Sequence, residues 1–295
     1  MKKIFIPIVI TIAAIFFASC DKIEGPFIEV IHTEDVDVEF PNLDPSSVYR
    51  KILLEEYTGH NCSNCPEGHE KLEFLHDIYG DTLIAIGLHT GSYARPNNSS
   101  PHDFRTQAGN ELMEDYGISA WPTAIINRKH NDGGGLAMSI WQNALQSVDR
   151  SHVYAAIQMI NQFNTSDSSL KVNVKVSMLD DYNYPVRLAL FLVEDGIVSR
   201  QLKGSEFIED YVHNHVLRNA LNGTYGDMLT SNGILEKGLA YTYGFKTSLK
   251  YRDLNPDASN DIHFVQPNPD NCYIVAILFD KANDEVLQVE KLNIK

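Results

Sequence analysis

The spacing of apolar and polar residues divides the chain into four stretches. Residues 4–17 form an apolar run of 14, broken only by Pro7 and Thr11. Residues 20–47 are acidic and Pro-containing with little apolar periodicity, and read as a tether with one strand near Phe27–Ile31. From residue 48 to 150 the period switches between short apolar runs and helical repeats. Ile52-Leu53-Leu54-Glu55-Glu56-Tyr57 reads as a buried strand with acidic interruptions. Leu72, Leu75 and Ile78/Tyr79 then recur at helical spacing and stop near Gly80. Leu83–Leu88 is a second strand, Ala108–Tyr116 a helix, and Leu136–Val148 a closing helix with Trp141, Leu145 and Val148 on one face.

After Arg150 the period becomes two. Leu170, Val172, Val174, Val176 and Met178 alternate strictly with polar residues. Val186–Val193, Leu239–Tyr251, Cys272–Asp280 and Glu285–Ile294 read as strands too, with Asp280–Asp284 as a hairpin turn. The expected architecture is an α/β domain over 48–150 and an all-β sandwich of about seven strands over 151–295, immunoglobulin-like by architecture only.

The N-terminus sets the compartment. Met1-Lys2-Lys3 followed by the apolar run has the layout of an export signal, too short to span a bilayer comfortably. It ends at Phe17-Ala18-Ser19-Cys20, which resembles the bacterial lipobox, with Phe17 where Leu is usual. The resemblance implies cleavage after Ser19, leaving 1–19 as signal peptide. Cys20 would then carry diacylglycerol on its thiol and a further acyl chain such as palmitate on its amine. Each buried CH₂ contributes about 0.8 kcal/mol, so three chains anchor a protein almost permanently. The expected partner is therefore a membrane, reached through lipid, and the expected place is the outer membrane of a bacterial envelope. The net charge of −15 makes contact with nucleic acid or with anionic lipid by charge alone unfavourable. A chain of 295 residues buries enough surface to need no metal or cofactor for its core, and none is expected.

Beyond Cys20 the chain has Cys62, Cys65 and Cys272. Cys62-Ser63-Asn64-Cys65 is a C-x-x-C pair placed where a strand hands over to a helix N-terminus. The free N–H groups there favour a thiolate, which is the attacking species in thiol exchange. Cys272 opens a strand and reads as a small buried hydrophobe, with a resolving or intermolecular cysteine as the alternative. His60 would favour a thiolate if protonated, and Glu67 and Glu70 would oppose it if near. His213 and His215 would share one face if Tyr211–Leu217 were a single strand, but the sequence suggests no third ligand, so no metal site is assigned. The polar stretch 90–107 is expected to lie over the cysteine face.

Strand, C-x-x-C, helix, strand resembles the start of thioredoxin-like domains. Tyr116-Gly117-Ile118-Ser119-Ala120-Trp121-Pro122-Thr123-Ala124-Ile125-Ile126-Asn127 resembles the segment leading into the next strand of that family. The likeness implies a cis Pro122 packed against the cysteines, and Trp121 offering its backbone to an extended client. It also implies Cys62 as exposed nucleophile, Cys65 as resolving thiol, a Cys62–Cys65 disulfide, and Glu56 as a buried proton relay. Glu replaces the usual Asp, and a solvated acid on an edge strand is the other reading of Glu56. Asn61 stands where Trp is usual, and Ser63-Asn64 where Gly-Pro is usual. With the lipobox, Leu53–Pro66 and Tyr211-Val212-His213-Asn214-His215-Val216-Leu217-Arg218, residues 48–295 resemble the bacterial thioredoxin-like outer-membrane lipoproteins named after a twenty-eight-kilodalton member.

Two functions follow as expectations. One is thiol–disulfide exchange with protein clients in the envelope, which makes the chain a possible oxidoreductase. The other is a binding or adhesion lipoprotein that meets a surface ligand, with a purely structural disulfide.

Overall fold

A computed structural model describes residues 30–34, 36–129, 133–230, 235–250 and 265–295. The signal peptide, Cys20 and the first part of the expected Phe27–Ile31 strand lie outside the described residues.

The elements run β1 (Val30–Glu34), β2 (Ile52–Thr58), α1 (Cys65–Tyr79), β3 (Leu83–His89), α2 (Gln107–Asp115), β4 (Thr123–Ile126), β5 (Leu136–Ala137) and α3 (Trp141–Gln146). Then come β6 (Ala155–Asn164), β7 (Ser169–Met178), β8 (Val186–Glu194), β9 (Ile197–Lys203), β10 (Glu206–His213) and β11 (Val216–Ala220). The last are β12 (Asp227–Met228), β13 (Ala240–Ser248), β14 (Cys272–Asp280) and β15 (Val286–Asn293). The fold is thus β-rich. The expected seven strands after residue 150 are ten among the described residues, and the closing helix is shorter than read, because Leu136–Ala137 is strand.

One sheet of nine strands runs through both halves of the chain, in the order β15–β14–β8–β11–β3–β2–β4–β5, with β12 beside β8. In the first half β2 is parallel to β3 and antiparallel to β4, which is antiparallel to β5. The halves join where β11 lies parallel to β3, with Val216 opposite Gly87 and the Gly87 N–H donating to His215 O at 2.6 Å. A Cβ at Gly87 would stand 3.4 Å from that carbonyl, in van der Waals contact with it. A second sheet, β1–β13–β7–β6, covers the β8–β14–β15 part. Between them lies an aliphatic core that includes Leu170, Val172, Val174, Val176, Leu188, Leu190, Ile274 and Leu278. The alternation read along β7 is the alternation observed.

On β2 the period of two decides which side chains meet which core. Leu53 and Tyr57 point to a core shared with Phe191, Val275 and Phe279 of the second half. Ile52 and Leu54 point the other way, to α1, Trp141 and Leu145. The two glutamates obey the same rule. Glu55 falls on the first face, where Arg128 takes it in a buried pair at 2.8–3.1 Å and lies over the Phe279 ring at 4.9 Å. Glu56 falls on the second face, under α1. The edge-strand reading of Glu56 fails, because β2 sits between β3 and β4 and leaves Glu56 1% exposed.

The two-stranded β9–β10 hairpin pairs with neither sheet.

Candidate functional site

The site is built from the turn between β2 and α1. The Cys62 N–H donates to Gly59 O at 3.0 Å and the Cys65 N–H to Cys62 O at 3.4 Å, so the chain coils once before α1 begins at Cys65. The two cysteines form a disulfide across this turn, with Cα atoms 5.4 Å apart. Pro66 occupies the first turn of α1, where a missing N–H costs nothing. Gly59 is required by contact, since a Cβ there would lie 2.5 Å from the backbone of Tyr93. Asn61 binds the same segment, through its N–H to Tyr93 O at 2.9 Å and its Nδ2 to Arg95 O at 2.9 Å. The 90–107 stretch therefore does run against the cysteine turn, as expected.

Beneath the turn, Glu56 and Pro122 converge on Gly68. A Cβ on Gly68 would stand 2.5 Å from Glu56 Oε1 and 2.9 Å from Pro122 Cβ. The Trp121–Pro122 bond is cis. Trp121 is half-buried, donates from Nε1 to Thr90 Oγ1 at 3.1 Å and meets the Tyr93 ring at 5.6 Å. Glu56 Oε1 has no hydrogen-bond partner, and burial pushes its pKa up to about 8, so the carboxyl is neutral at pH 7. Its nearest basic neighbour is His69, whose Nε2 is 3.9 Å from Glu56 Oε1 and 2.8 Å from Thr58 Oγ1. His69 Nδ1 lies 2.7 Å from the Tyr211 hydroxyl, which β10 contributes. Burial holds His69 at a pKa of about 4, with His215 adding to the effect, so the imidazole is neutral. A cleft of about 120 Å³ opens beside this group, between α1 and the end of β10, lined by Glu56, His69, Glu70, Glu73, Tyr211 and His215 among others.

The disulfide is not open to solvent. Cys62 is 3% and Cys65 0% exposed, which corrects the expectation of an exposed nucleophile. The cover is the β9–β10 hairpin. Leu202 N–H donates to His60 O at 2.8 Å and Gly204 N–H to Ser63 O at 3.0 Å. Gln201, fully buried, donates from Nε2 to Cys62 O at 3.1 Å and Gly59 O at 3.3 Å. Behind the turn lie His60, His89, His213 and Phe104 in mutual ring contact at 5.2–6.5 Å. Burial lowers His60 to about 4 and His213 to about 3, so His60 offers Cys62 no positive charge at neutral pH.

His213 and His215 do not share a face. The strand breaks at Asn214, and His215 takes φ 59°. His213 turns to His89, while His215 Nδ1 meets Tyr273 Oη at 3.0 Å and Asp195 Oδ1 at 3.2 Å. Cys272 is buried and unbridged, and burial pushes its thiol pKa up, as befits a small apolar residue. Among the described residues no helix is long and apolar enough to cross a membrane, and no group of three or more ligand-type side chains is arranged to hold a metal ion.

Sequence reasoning considered His69 only as a weak zinc ligand beside the cysteines and Tyr211 only as the start of a family motif, and it missed Gln201. His69 carried a signal, four residues past Cys65 on the α1 face that Leu72 also occupies; Gln201 carried none.

HBP35 of Porphyromonas gingivalis has a similar fold, with a TM-score of 0.60 and 15% identity over 84% of this chain and 76% of that one. A domain of the outer membrane lipoprotein Omp28 from the same organism is 23% identical, over 50% of this chain and 93% of that one, with a TM-score of 0.31. No curated protein matches the chain. Residues 109–295 match the profile of the family described as outer membrane protein Omp28. Covering well over half of the sequence, that match makes this chain a member of the Omp28 outer-membrane protein family.

Proposed function

We propose that this is a lipid-anchored outer-membrane protein whose first half is a thioredoxin-like domain, and that Cys62–Cys65 exchanges disulfides with protein clients. The β3–β2–β4–β5 order, with a C-x-x-C disulfide opening α1 and Pro122 packed on its first turn, supports the thioredoxin-like reading. The observation that carries exchange is Glu56. A disulfide that only staples a loop has no use for a neutral, unpartnered carboxyl against the first turn of the helix that Cys65 opens. A resolving thiol does, because it must gain and lose a proton.

In the oxidising direction a client thiolate attacks Cys62 Sγ. The Cys62–Cys65 bond breaks and its electron pair leaves on Cys65 Sγ, which takes the Glu56 proton. The client's second thiol gives its proton back to the acid and attacks the client sulfur of the mixed disulfide, and Cys62 leaves as a thiolate that takes from water the proton the first client thiol released there. The client departs as a disulfide, two electrons poorer, and the chain holds two thiols. The reverse sequence reduces a client.

Replacing Cys65 by Ser leaves Cys62 able to attack but not to be resolved. In a Cys272→Ala background, mixed disulfides should accumulate in cells on Cys65→Ser and much less on Cys62→Ser. Equal, negligible trapping by both would remove the exchange reading. The second reading, a binding lipoprotein with a structural disulfide, draws on the near-complete burial of Cys62.

A further inference from the structure

We propose that the β9–β10 hairpin is a movable cover occupying the place of a client strand on the cysteine turn, with Tyr211 and His69 as its latch. This rests on the exchange reading and adds how the site opens. The partner it fits is an extended polypeptide segment bearing a cysteine. The turn offers two main-chain acceptors to such a segment, His60 O and Ser63 O, and the hairpin now fills both from Leu202 and Gly204. Gln201 imitates a third contact, donating from its side chain to Cys62 O.

Three features mark the hairpin as separable. It belongs to neither large sheet, so it can leave without breaking their ladders. Its underside is polar: Ser199, Gln201 and His213 are the residues turned inward, with Ile197 at the base. Water can replace such contacts, whereas it cannot replace the aliphatic packing between β7 and β8. Its two ends also leave the sheet side by side, at Gly196 (φ 72°) and His215 (φ 59°), with the Gly196 N–H donating to Asn214 Oδ1 at 2.9 Å. That pairing makes one hinge of two strand ends.

The latch is the hydrogen bond between Tyr211 Oη and His69 Nδ1, 2.7 Å long, beside the ion pair of Lys203 with Glu70 at 2.6 Å. Closed, it holds His69 over Glu56 and keeps water from that carboxyl. Released, it admits water through the cleft. The titratable groups facing Glu56 and the latch are His69, Glu70 and Glu73 on α1, Tyr211 and His213 on β10, His215 in the following turn and His89 on β3. His69, His89 and His213 are held neutral and burial lowers His215 as well, so Glu56 is the member whose raised pKa places its charge change near pH 8. Burial raises its pKa in the closed state, so opening should become easier as pH rises from about 5 to about 8 and level off above.

The test compares two rates on the full mature chain. One is reduction of Cys62–Cys65 by dithiothreitol, which gives up two electrons and two protons and closes to its own cyclic disulfide, with rates expressed per unit of its thiolate. The other is hydrogen exchange at the Leu202 and Gly204 amides. Tyr211→Phe should raise both rates by the same factor, about threefold to tenfold for one lost hydrogen bond, and Gln201→Ala, which loses more than one, should raise both by at least as much, while β14 amides stay protected. With amide exchange divided by its intrinsic base-catalysed rate, Glu56→Gln, which imitates the neutral acid, should flatten the rise of both rates with pH. Faster amide exchange with unchanged reduction would overturn the proposal, and so would reduction only at the exchange rate of β14. Failure of client trapping on Cys65→Ser, with the two rates still coupled, would instead remove the exchange reading and leave a covered structural disulfide.

Discussion

Single residues on β2 show how much chemistry a strand can hide. Glu55 and Glu56 are neighbours in sequence, yet the pleat sends them to opposite faces and opposite fates. Glu55 is paired with Arg128 at 2.8 Å, with both side chains fully buried. Removing one partner of such a pair leaves an uncompensated charge, so Glu55→Gln should cost about 3–5 kcal/mol in urea unfolding. Glu56 Oε1 has no hydrogen-bond partner, and burial keeps the carboxyl protonated at neutral pH instead. Its folded pKa of about 8 lies above the unfolded value of about 4.3. A raised pKa means stability that is fully present below pH 4.3 and is lost as pH climbs through 8. Glu56→Gln should therefore be near neutral at pH 5 and stabilising by on the order of a few kcal/mol at pH 9. A wild type as stable as the variant at pH 9 would show that Glu56 is not held neutral. The sequence marked both acids as interruptions of a buried strand. It could not say which one would find a cation, because Arg128 comes from 73 residues away.

Among the elements, legibility followed the chemistry of the buried face. β7, β8 and β14 announce themselves because aliphatic side chains fill their cores. The β9–β10 hairpin does not, because Ser199, Gln201 and His213 face inward and polar residues carry no hydrophobic period. The Cys62 error has the same root: the turn was read rightly as a helix N-terminus, but its cover comes from some 140 residues further on. The cysteine turn itself tolerates little change. Gly59→Ala would push a Cβ into the backbone of Tyr93, and an overpacked site typically costs about 1–3 kcal/mol. The expected outcome is a lower melting temperature together with faster reduction of the disulfide, as the 90–107 segment is displaced from Asn61.

For the whole molecule, the change of period at Arg150 is real, but the sheet continues across it through β3 and β11. A fragment of residues 150–295 would bare the β11 edge and the face of Phe191, Val193, Val275, Ile277 and Phe279 that now packs on Leu53, Ile84 and Ile86. Such a fragment should self-associate or bind a hydrophobic dye, read by light scattering and fluorescence; a stable, dye-free monomer would show that the halves fold separately. At the other end, Cys20→Ser should release the protein from membranes and abolish lipid labelling, since lipid is the anchor the sequence provides. Tight membrane association in that variant would contradict a lipid anchor.

The claim that joins these scales is that Cys62–Cys65 is a pair made to be opened. Its reduction potential tests this most directly, measured on the full mature chain by equilibration with glutathione and dithiothreitol buffers. Structural disulfides lie below about −300 mV, and exchangeable ones above it. The account predicts a value above that boundary, within reach of envelope thiols. A value below it would make the disulfide an inert staple beneath its hairpin and contradict the exchange function.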